Sequence, residues 1–348
     1  MAKIGLTYDL KSEWQSSADD PVDAAAELDN DRTVQCLKRA FESGGHTVKL
    51  IGNARNLLKL MPNPRVDLVF NICEGQYGRS RESQVPAILD VFRVPCAGAD
   101  ALTLGITLDK VIAKKCFLAD GIPTARYFMA GPDDDLMQLN TIGFPLFVKT
   151  LHEGTSKGIT PGSRVENFKR LKKQVEFINT NYKQPALVEE FIKGTEYTVG
   201  VIGNDPPQAM PVVQYAIDGK TDLGNAFYTY AHVVDKSVEY ICPAPVDEKF
   251  AGKLQDIAIA AYRSVGCRDF GRVDIRVDKD GNPYVLEINP LPNLSPDDVF
   301  VLFGKCLGMT YNQIINKVLD QALIRLGLSN AARAAAPIEK SKEEVSKK

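Results

Sequence analysis

Short apolar runs alternate with polar segments at two periods along the chain, and the elements follow from that alternation. Lys3-Ile4-Gly5-Leu6-Thr7-Tyr8 predicts a first strand. A helix is expected from about Asp31, where Val34, Leu37, Ala40 and Phe41 recur at helical spacing, and Gly44-Gly45 ends it. Residues 47–51 and 66–71 predict two more strands. Residues 108–120 predict a helix closed by Gly121 and Pro123; 144–149 a strand; 165–179 a polar-faced helix; 186–191 and 196–202 strands. After the Pro243–Pro245 break, a long helix is expected over 247–265. Strands at 272–277 and 284–288 flank Asp280-Gly281, a strong hairpin signal. A last helix covers 311–326, and the chain from Ala331 loses large apolar residues and predicts a frayed tail.

Strands that alternate with helices indicate an α/β fold with a parallel sheet, whose ligands bind at the carboxyl ends of strands. Glu74-Gly75-Gln76-Tyr77-Gly78 lies at one such end. The length, 348 residues, suggests two or three domains. Hydrophobic residues are 44% and charged residues 25%, ordinary values for a globular protein. Lys and Arg total 42 against 44 Asp and Glu, a net charge of -2, which argues against a phosphate-tracking surface spread over the whole molecule and leaves room for a local basic patch. No run of 18 apolar residues predicts a membrane span, and the first residues lack a signal-peptide pattern. A cytoplasmic protein without nucleic-acid or membrane partners is therefore expected. The seven cysteines are widely spaced with no C-x-x-C pair, and are expected to be reduced, mostly buried thiols. Residues 13–31 hold seven carboxylates and no Lys or Arg. The commoner reading is a solvated loop or an acidic first turn; the other is an electrostatic gate for a cationic ligand.

Three segments carry candidate chemistry. In the first, alternation puts Arg272, Asp274 and Arg276 on one face of a strand, and Glu287 and Asn289 on one face of the next. A tight hairpin can bring Asp274, Glu287 and Asn289 together as a hard-oxygen set suited to Mg²⁺ and phosphates. An ordinary hairpin with a charged outer face is the alternative. In the second, Lys149 precedes Glu153-Gly154-Thr155-Ser156-Lys157-Gly158. Such a loop lets backbone N–H groups approach phosphate, with Lys149 as a point charge; a plain flexible hairpin loop is the alternative. Neither the Walker A nor the strand–GxGxxG–helix pattern occurs. In the third, Glu189-Glu190-Phe191-Ile192 and Gly194-Thr195-Glu196 end a strand in acids that suit an adenine amino group and ribose hydroxyls, or simply solvent.

Taken in order, these motifs resemble the ATP-grasp superfamily, and within it the D-alanine–D-alanine ligases. Phe70-Asn71-Ile72 with Glu74-Gly75 is similar to that family's F-N-x-x-H-G, and Leu108-Asp109-Lys110 to its M-D-K. Val148-Lys149 with Glu153-Gly154-Thr155-Ser156 resembles V-K-P-x-x-E-G-S-S, and Phe227-Tyr228-x-Tyr230 resembles F-Y-x-Y. Gly271-Arg272-Val273-Asp274 and Leu286-Glu287-Ile288-Asn289 complete the likeness, which runs from about Lys3 to Leu326. It implies a three-domain architecture: an N-terminal α/β substrate domain over 1–98, a central ATP-grasp subdomain over 99–190, a catalytic ATP-grasp domain over 191–330, and a tail over 331–348. It implies ATP as cofactor with two Mg²⁺ ions, Mn²⁺ being the alternative ion, small-molecule carboxylate and amine substrates, and a homodimer.

The resemblance also implies roles. Lys110 and Lys149 contact ATP phosphates, over which Gly154, Thr155 and Ser156 close. Glu189 and the Phe191-Ile192 backbone hold adenine, and Glu196 the ribose. Asp274, Glu287 and Asn289 hold the metals. Arg272 stabilises the tetrahedral intermediate, with Ser156 and Glu74 also at catalytic positions. Substrate positions fall at Glu13, Glu74, Tyr230, Asn293 and Asp298.

The departures cluster in the substrate half. The family's first loop, G-G-x-S-x-E-x-E-V-S, is replaced by Asp9-Leu10-Lys11-Ser12-Glu13-Trp14 and the acidic stretch. Glu74 stands for the histidine of F-N-x-x-H-G. The lysine that follows F-Y-x-Y is missing near His232-Val233, with Lys236 the nearest cation. Asp298 falls where the family's last signature has a serine, and a carboxylate there repels an acceptor carboxylate. Three readings follow: a carboxylate–amine ligase of altered specificity, a D-alanine–D-alanine ligase with displaced residues, or a nucleotide-binding regulator that has lost chemistry.

Overall fold

A computed structural model describes residues 1–235 and 238–329. Lys236 and the tail from Ala331 lie outside the described residues. The expected α/β class is what forms: one parallel sheet at the N-terminus and two antiparallel sheets after it. The parallel sheet has the order Thr47–Gly52, Lys3–Tyr8, Leu68–Ile72, Cys96–Ala97. The helix Asp31–Ser43 connects its first two strands. Asn30 caps that helix by accepting from the Thr33 N–H, and Val34, Leu37, Ala40 and Phe41 form its buried face. Gly44 caps its end and Gly45 follows at φ 82°, a conformation that favours glycine.

The second sheet runs Tyr127–Ala130, Ala186–Glu190, Leu146–Thr150, Arg164–Val165. The third runs Val238–Ile241, Val213–Ile217, Gly194–Ile202, Phe270–Asp278, Pro283–Asn289, with Gln208–Ala209 paired beside Gly194–Ile202. One aromatic core joins the first sheet to the third. Phe41, Phe70, Phe270 and Phe300 follow one another with ring centroids 4.9, 5.9 and 6.0 Å apart, favourable spacings for aromatic pairs. The helix Tyr311–Arg325 closes the same core, and Asn316 donates to the Ala40 carbonyl at 2.7 Å.

Several boundaries differ from the sequence expectation, each for a local reason. The helix expected over 108–120 is Lys110–Ala119, and a separate helix, Ala101–Leu108, precedes it without having been expected. Asp109 leaves helical geometry (ψ 96°), and its carboxylate accepts from the Val111 and Ile112 N–H groups, starting the second helix afresh. The helix expected from residue 165 begins at Phe168, capped by Asn167, while Arg164–Val165 joins a strand. The helix Val299–Cys306, capped by Asp298, had no prediction. The cysteine expectation is also corrected: Cys242 is bonded to Cys306. Cys73, Cys96 and Cys267 are buried free thiols, with Cys36 and Cys116 partly exposed.

Candidate active site

The third sheet supplies the charged hairpin. Phe270–Asp278 pairs antiparallel with Pro283–Asn289, which sets Asp274 opposite Glu287 and Arg272 opposite Asn289. Arg272 grips Asp274 with two parallel bonds, Nε to Oδ1 at 3.1 Å and a terminal nitrogen to Oδ2 at 3.0 Å. Asn289 Nδ2 reaches Oδ2 at 3.0 Å and Thr198 Oγ1 reaches Oδ1 at 2.6 Å. Burial alone would raise the Glu287 carboxyl; Lys110, Lys149 and Arg272 around it bring it below the usual carboxylate range. Strand alternation therefore brings Asp274, Glu287 and Asn289 together, as expected from the sequence. Among the described residues no group of three His, Cys, Asp or Glu stands within metal-binding reach, so the amide of Asn289 has to complete any hard-oxygen set here.

Lys149 stands on the strand Leu146–Thr150, beside the strand that carries Glu189. Glu189 lies between two ammonium groups, Lys149 at 2.9 Å and Lys114 at 2.6 Å. Burial pushes the Glu189 carboxyl up, but the two lysines hold it at about 2. Lys114 is fully buried and was missed at the sequence level. Its signal was there: it follows Lys110 by four residues on one helix, so both lie on the same face.

The Gly/Ser loop is tethered from the N-terminal segment. Thr155 and Ser156 adopt φ 46° and 55°, and Gly158 φ 76°. A side chain at Gly158 would put Cβ 2.7 Å from Thr150 Cγ2, so glycine is needed twice over, for space and for conformation. The Gly154 N–H donates to Glu27, Lys157 bonds both Glu27 and Glu153, and Lys110 donates to the Glu153 carbonyl. Arg81 joins the group with bonds of 3.0 and 2.9 Å to Glu27, 3.3 Å to Glu153 and 2.8 Å to the His152 carbonyl.

The 13–31 stretch is thus not simply a solvated loop. Asp23 is 3% exposed and accepts from the Tyr182 hydroxyl at 2.8 Å and the Gly158 N–H at 2.9 Å. Glu27 is enclosed, and Asp29 lines the cavity. Their partners come from far along the chain, Arg81 by 54 residues and Lys157 by 130, which local composition cannot reveal. Asp19 and Asp31 are exposed, as expected.

These elements surround one cavity of about 380 Å³. Phe147, Phe191 and Phe227 form an apolar slot in it, with ring centroids 5.0 to 6.1 Å apart. Arg276 borders the slot, lying 5.5 Å over Phe191 and donating to Glu196 at 2.7 Å, Ile192 O at 3.1 Å and Ala226 O at 2.7 Å. Every residue singled out above for nucleotide or metal lines this cavity, as do Glu74, Asn293 and Asp298. Two substrate positions do not. Glu13 is exposed, accepts from Asn53 Nδ2 at 3.3 Å and faces a separate pocket. Tyr230 opens the helix Tyr230–Asp235 away from the lining, and Tyr228, two residues earlier, takes the place with Tyr215 and Tyr240. The physical reason is the local chain path: Lys11–Glu13 coils as a short 3-10 helix, and the helix that starts at Tyr230 ends the extended run in which Phe227 and Tyr228 line the cavity.

Residues 117–320 match the sequence model described as "D-ala D-ala ligase C-terminus". The chain belongs to the D-alanine–D-alanine ligase family. It is 34% identical over 299 residues to the uncharacterised protein y4sG of Sinorhizobium fredii, covering 84% of this chain and 87% of the relative. It is 30% identical over 298 residues to a D-alanine–D-alanine ligase of Carboxydothermus hydrogenoformans, covering 83% and 91%. Among solved structures, a D-alanine–D-alanine ligase of Bacillus anthracis complexed with ATP superposes with TM-score 0.73 at 20% identity, over 94% of this chain and 99% of that one. The VanG D-Ala:D-Ser ligase of Enterococcus faecalis gives 0.70 at 18%, over 92% and 99%. The fold is therefore that of the ATP-grasp ligases, and the family's chemistry is ATP-dependent, ADP-forming C–N ligation.

Two departures from the family pattern, Glu74 and Asp298, line the cavity. Asp298 caps the helix Val299–Cys306 through the Phe300 N–H at 3.3 Å; burial raises its carboxyl and Arg272 partly offsets the rise. Burial raises the carboxyls of Asp29 and Glu82 up to about 7, with Lys11 and Arg81 offsetting it only in part, and raises that of Glu74 as well. From an ordinary value near 4.5 up to about 7, folded Glu82 holds a proton that the unfolded chain has released. Stability from this group is thus present at low pH and falls as pH rises through that window. Glu82→Gln is expected to match the parent near pH 4.5 and to exceed it by on the order of 2 kcal/mol at pH 8. Denaturant unfolding of both proteins across pH 4.5–8 checks this; a pH-independent difference would refute the titration.

Proposed function

We propose that this chain joins a carboxylate to an amine through an acyl phosphate, and that its substrates are not two D-alanines. The observation that carries the reading is the contrast within one cavity. The Lys110, Lys149, Arg272, Asp274 and Glu287 side matches the family motifs, while the remainder carries the acids Glu27, Asp29, Glu74, Glu82 and Asp298 against the cations Lys11 and Lys157. Two amino-acid carboxylates would meet repulsion there.

A carboxylate is a poor electrophile until it is phosphorylated. Lys110 and Lys149 would neutralise the ATP phosphates, and the Gly154–Ser156 loop would cover them. The Phe147, Phe191 and Phe227 slot has the flat apolar walls that suit adenine, with Glu196 near the ribose and Glu189 offering its remaining lone pairs. Asp274, Glu287 and Asn289 form a hard-oxygen set that fits Mg²⁺, which would screen charge between phosphate oxygens. Arg272, released from Asp274, would face the negative charge that develops when the amine attacks. Walls that exclude water would protect the acyl phosphate from hydrolysis.

The three-domain division, two-ion stoichiometry, homodimer and cytoplasmic location belong to this reading too; no helix among the described residues is long and apolar enough to cross a membrane. The names of the relatives support the second reading, a D-alanine–D-alanine ligase proper. A screen of ADP release over D- and L-amino acids, dipeptides and amines, with product masses recorded, separates the two. Efficient formation of D-Ala–D-Ala would end the first reading. Glu287→Ala is expected to lower ADP formation by about 10²–10³-fold, the cost of losing one preorganised electrostatic group, in steady-state assays.

A further inference from the structure

Part of the cavity wall is unusually short of cations. Three segments build it: the end of the acidic stretch with Asp29, the loop after the strand Leu68–Ile72 with Glu74, and the short helix Arg81–Ser83 with Glu82. All three carboxylates line the cavity. Among the described residues none of the three side chains has a hydrogen bond or an ion pair, although Glu82 is only 9% exposed. Neighbouring cations are already engaged. Arg81 is held by Glu27 and Glu153, Lys157 by the same two, and Lys110 lies on the Glu153 carbonyl and 3.7 Å from Glu287. Lys11 also lines the cavity, from an exposed position.

An enclosed carboxylate without a partner costs free energy, and mutual repulsion among three adds to the cost. The arrangement is therefore one that a cationic ligand stabilises. The amine of an ordinary amino acid supplies a single positive charge to these three carboxylates. We propose that Asp29, Glu74 and Glu82 form a subsite for a substrate carrying two or more ammonium groups, a diamine or a basic amino acid, and that Glu74 and Glu82 pair with the ammonium that does not react. This inference rests on the reading of the cavity as the site of a carboxylate–amine ligase.

Two measurements on the full chain keep the two claims apart. The first is thermal stabilisation in the presence of Mg²⁺ and a non-hydrolysable ATP analogue, titrated with 1,5-diaminopentane or with pentylamine. The diamine should act at a concentration at least tenfold lower, and Glu74→Gln combined with Glu82→Gln should bring the two amines together. Equal midpoints for the two amines in the parent protein, or discrimination that survives both substitutions, would overturn the subsite. The second is ADP release with lysine, ornithine and diamines, each paired with D- or L-alanine, against norleucine and pentylamine. Cationic substrates should give a KM at least tenfold lower than the neutral or singly charged analogues, with the KM for ATP unaltered in Glu82→Gln. ADP release that shows no such preference overturns the subsite and leaves the ligase standing. Discrimination in the first measurement with no ADP release from any pair does the reverse.

Discussion

Lys149→Ala is expected to remove ADP formation almost completely while the chain stays folded. Lys149 is a buried ammonium at the end of a strand, facing the cavity and paired with Glu189 at 2.9 Å. Burial works against its charge, and Glu189 followed by Glu287 more than restores it, so the site keeps a permanent cation where phosphate oxygens would collect. Loss of such a preorganised charge should lower kcat/KM by about 10³-fold or more, roughly 4 kcal/mol of transition-state stabilisation. The fold should tolerate it because Glu189 retains Lys114 at 2.6 Å and is not left as an unpaired buried charge. Steady-state kinetics beside a thermal melt make the test. Turnover within tenfold of the parent would show that this lysine is structural.

Arg81→Ala should have the largest effect on stability. Arg81 is 7% exposed and ties together Glu27, Glu153 and the His152 carbonyl, which belong to the acidic segment and to the approach of the Gly/Ser loop. Burial disfavours its charge, and Glu27 and then Glu153 hold the guanidinium firmly protonated. Removing it would leave two enclosed carboxylates with Lys157 as their shared cation, beside neutral donors from the Gly154 N–H and Gln184 Nε2. Breaking a buried pair from one side costs about 3–5 kcal/mol, far above the effect of an exposed pair such as Arg32–Asp297. Arg81→Lys should recover part of the loss, since the charge returns without the forked geometry. Denaturant midpoints of the three proteins check this, and a loss below about 1 kcal/mol for the alanine variant, the scale of a surface pair, would contradict it.

Much of the site was legible because its residues obey local periods. Arg272, Asp274 and Arg276 share a face since strands alternate, and Asp280-Gly281 turns the chain so that Glu287 and Asn289 come back beside them. Lys149 and the glycines of 154–158 were visible for the same reason, as a strand end followed by a loop. Asn167 and Asp109 were legible in principle as helix caps, and the boundaries that slipped did so where a cap was overlooked.

The sequence by itself determined many of the elements, the α/β class, the charged hairpin and the family, because these depend on neighbours a few residues apart or on motif order. Only the tertiary structure decided which carboxylates matter for the substrate. Glu13 looked well placed from the family resemblance and faces another pocket; Glu27, with no local mark, reaches the Gly/Ser loop. Lys114 and Arg81 became buried ion-pair partners for the same reason. A charge is costly or useful according to how much water remains around it and what lies within a few ångströms. Both are set by chain segments that sequence spacing keeps far apart.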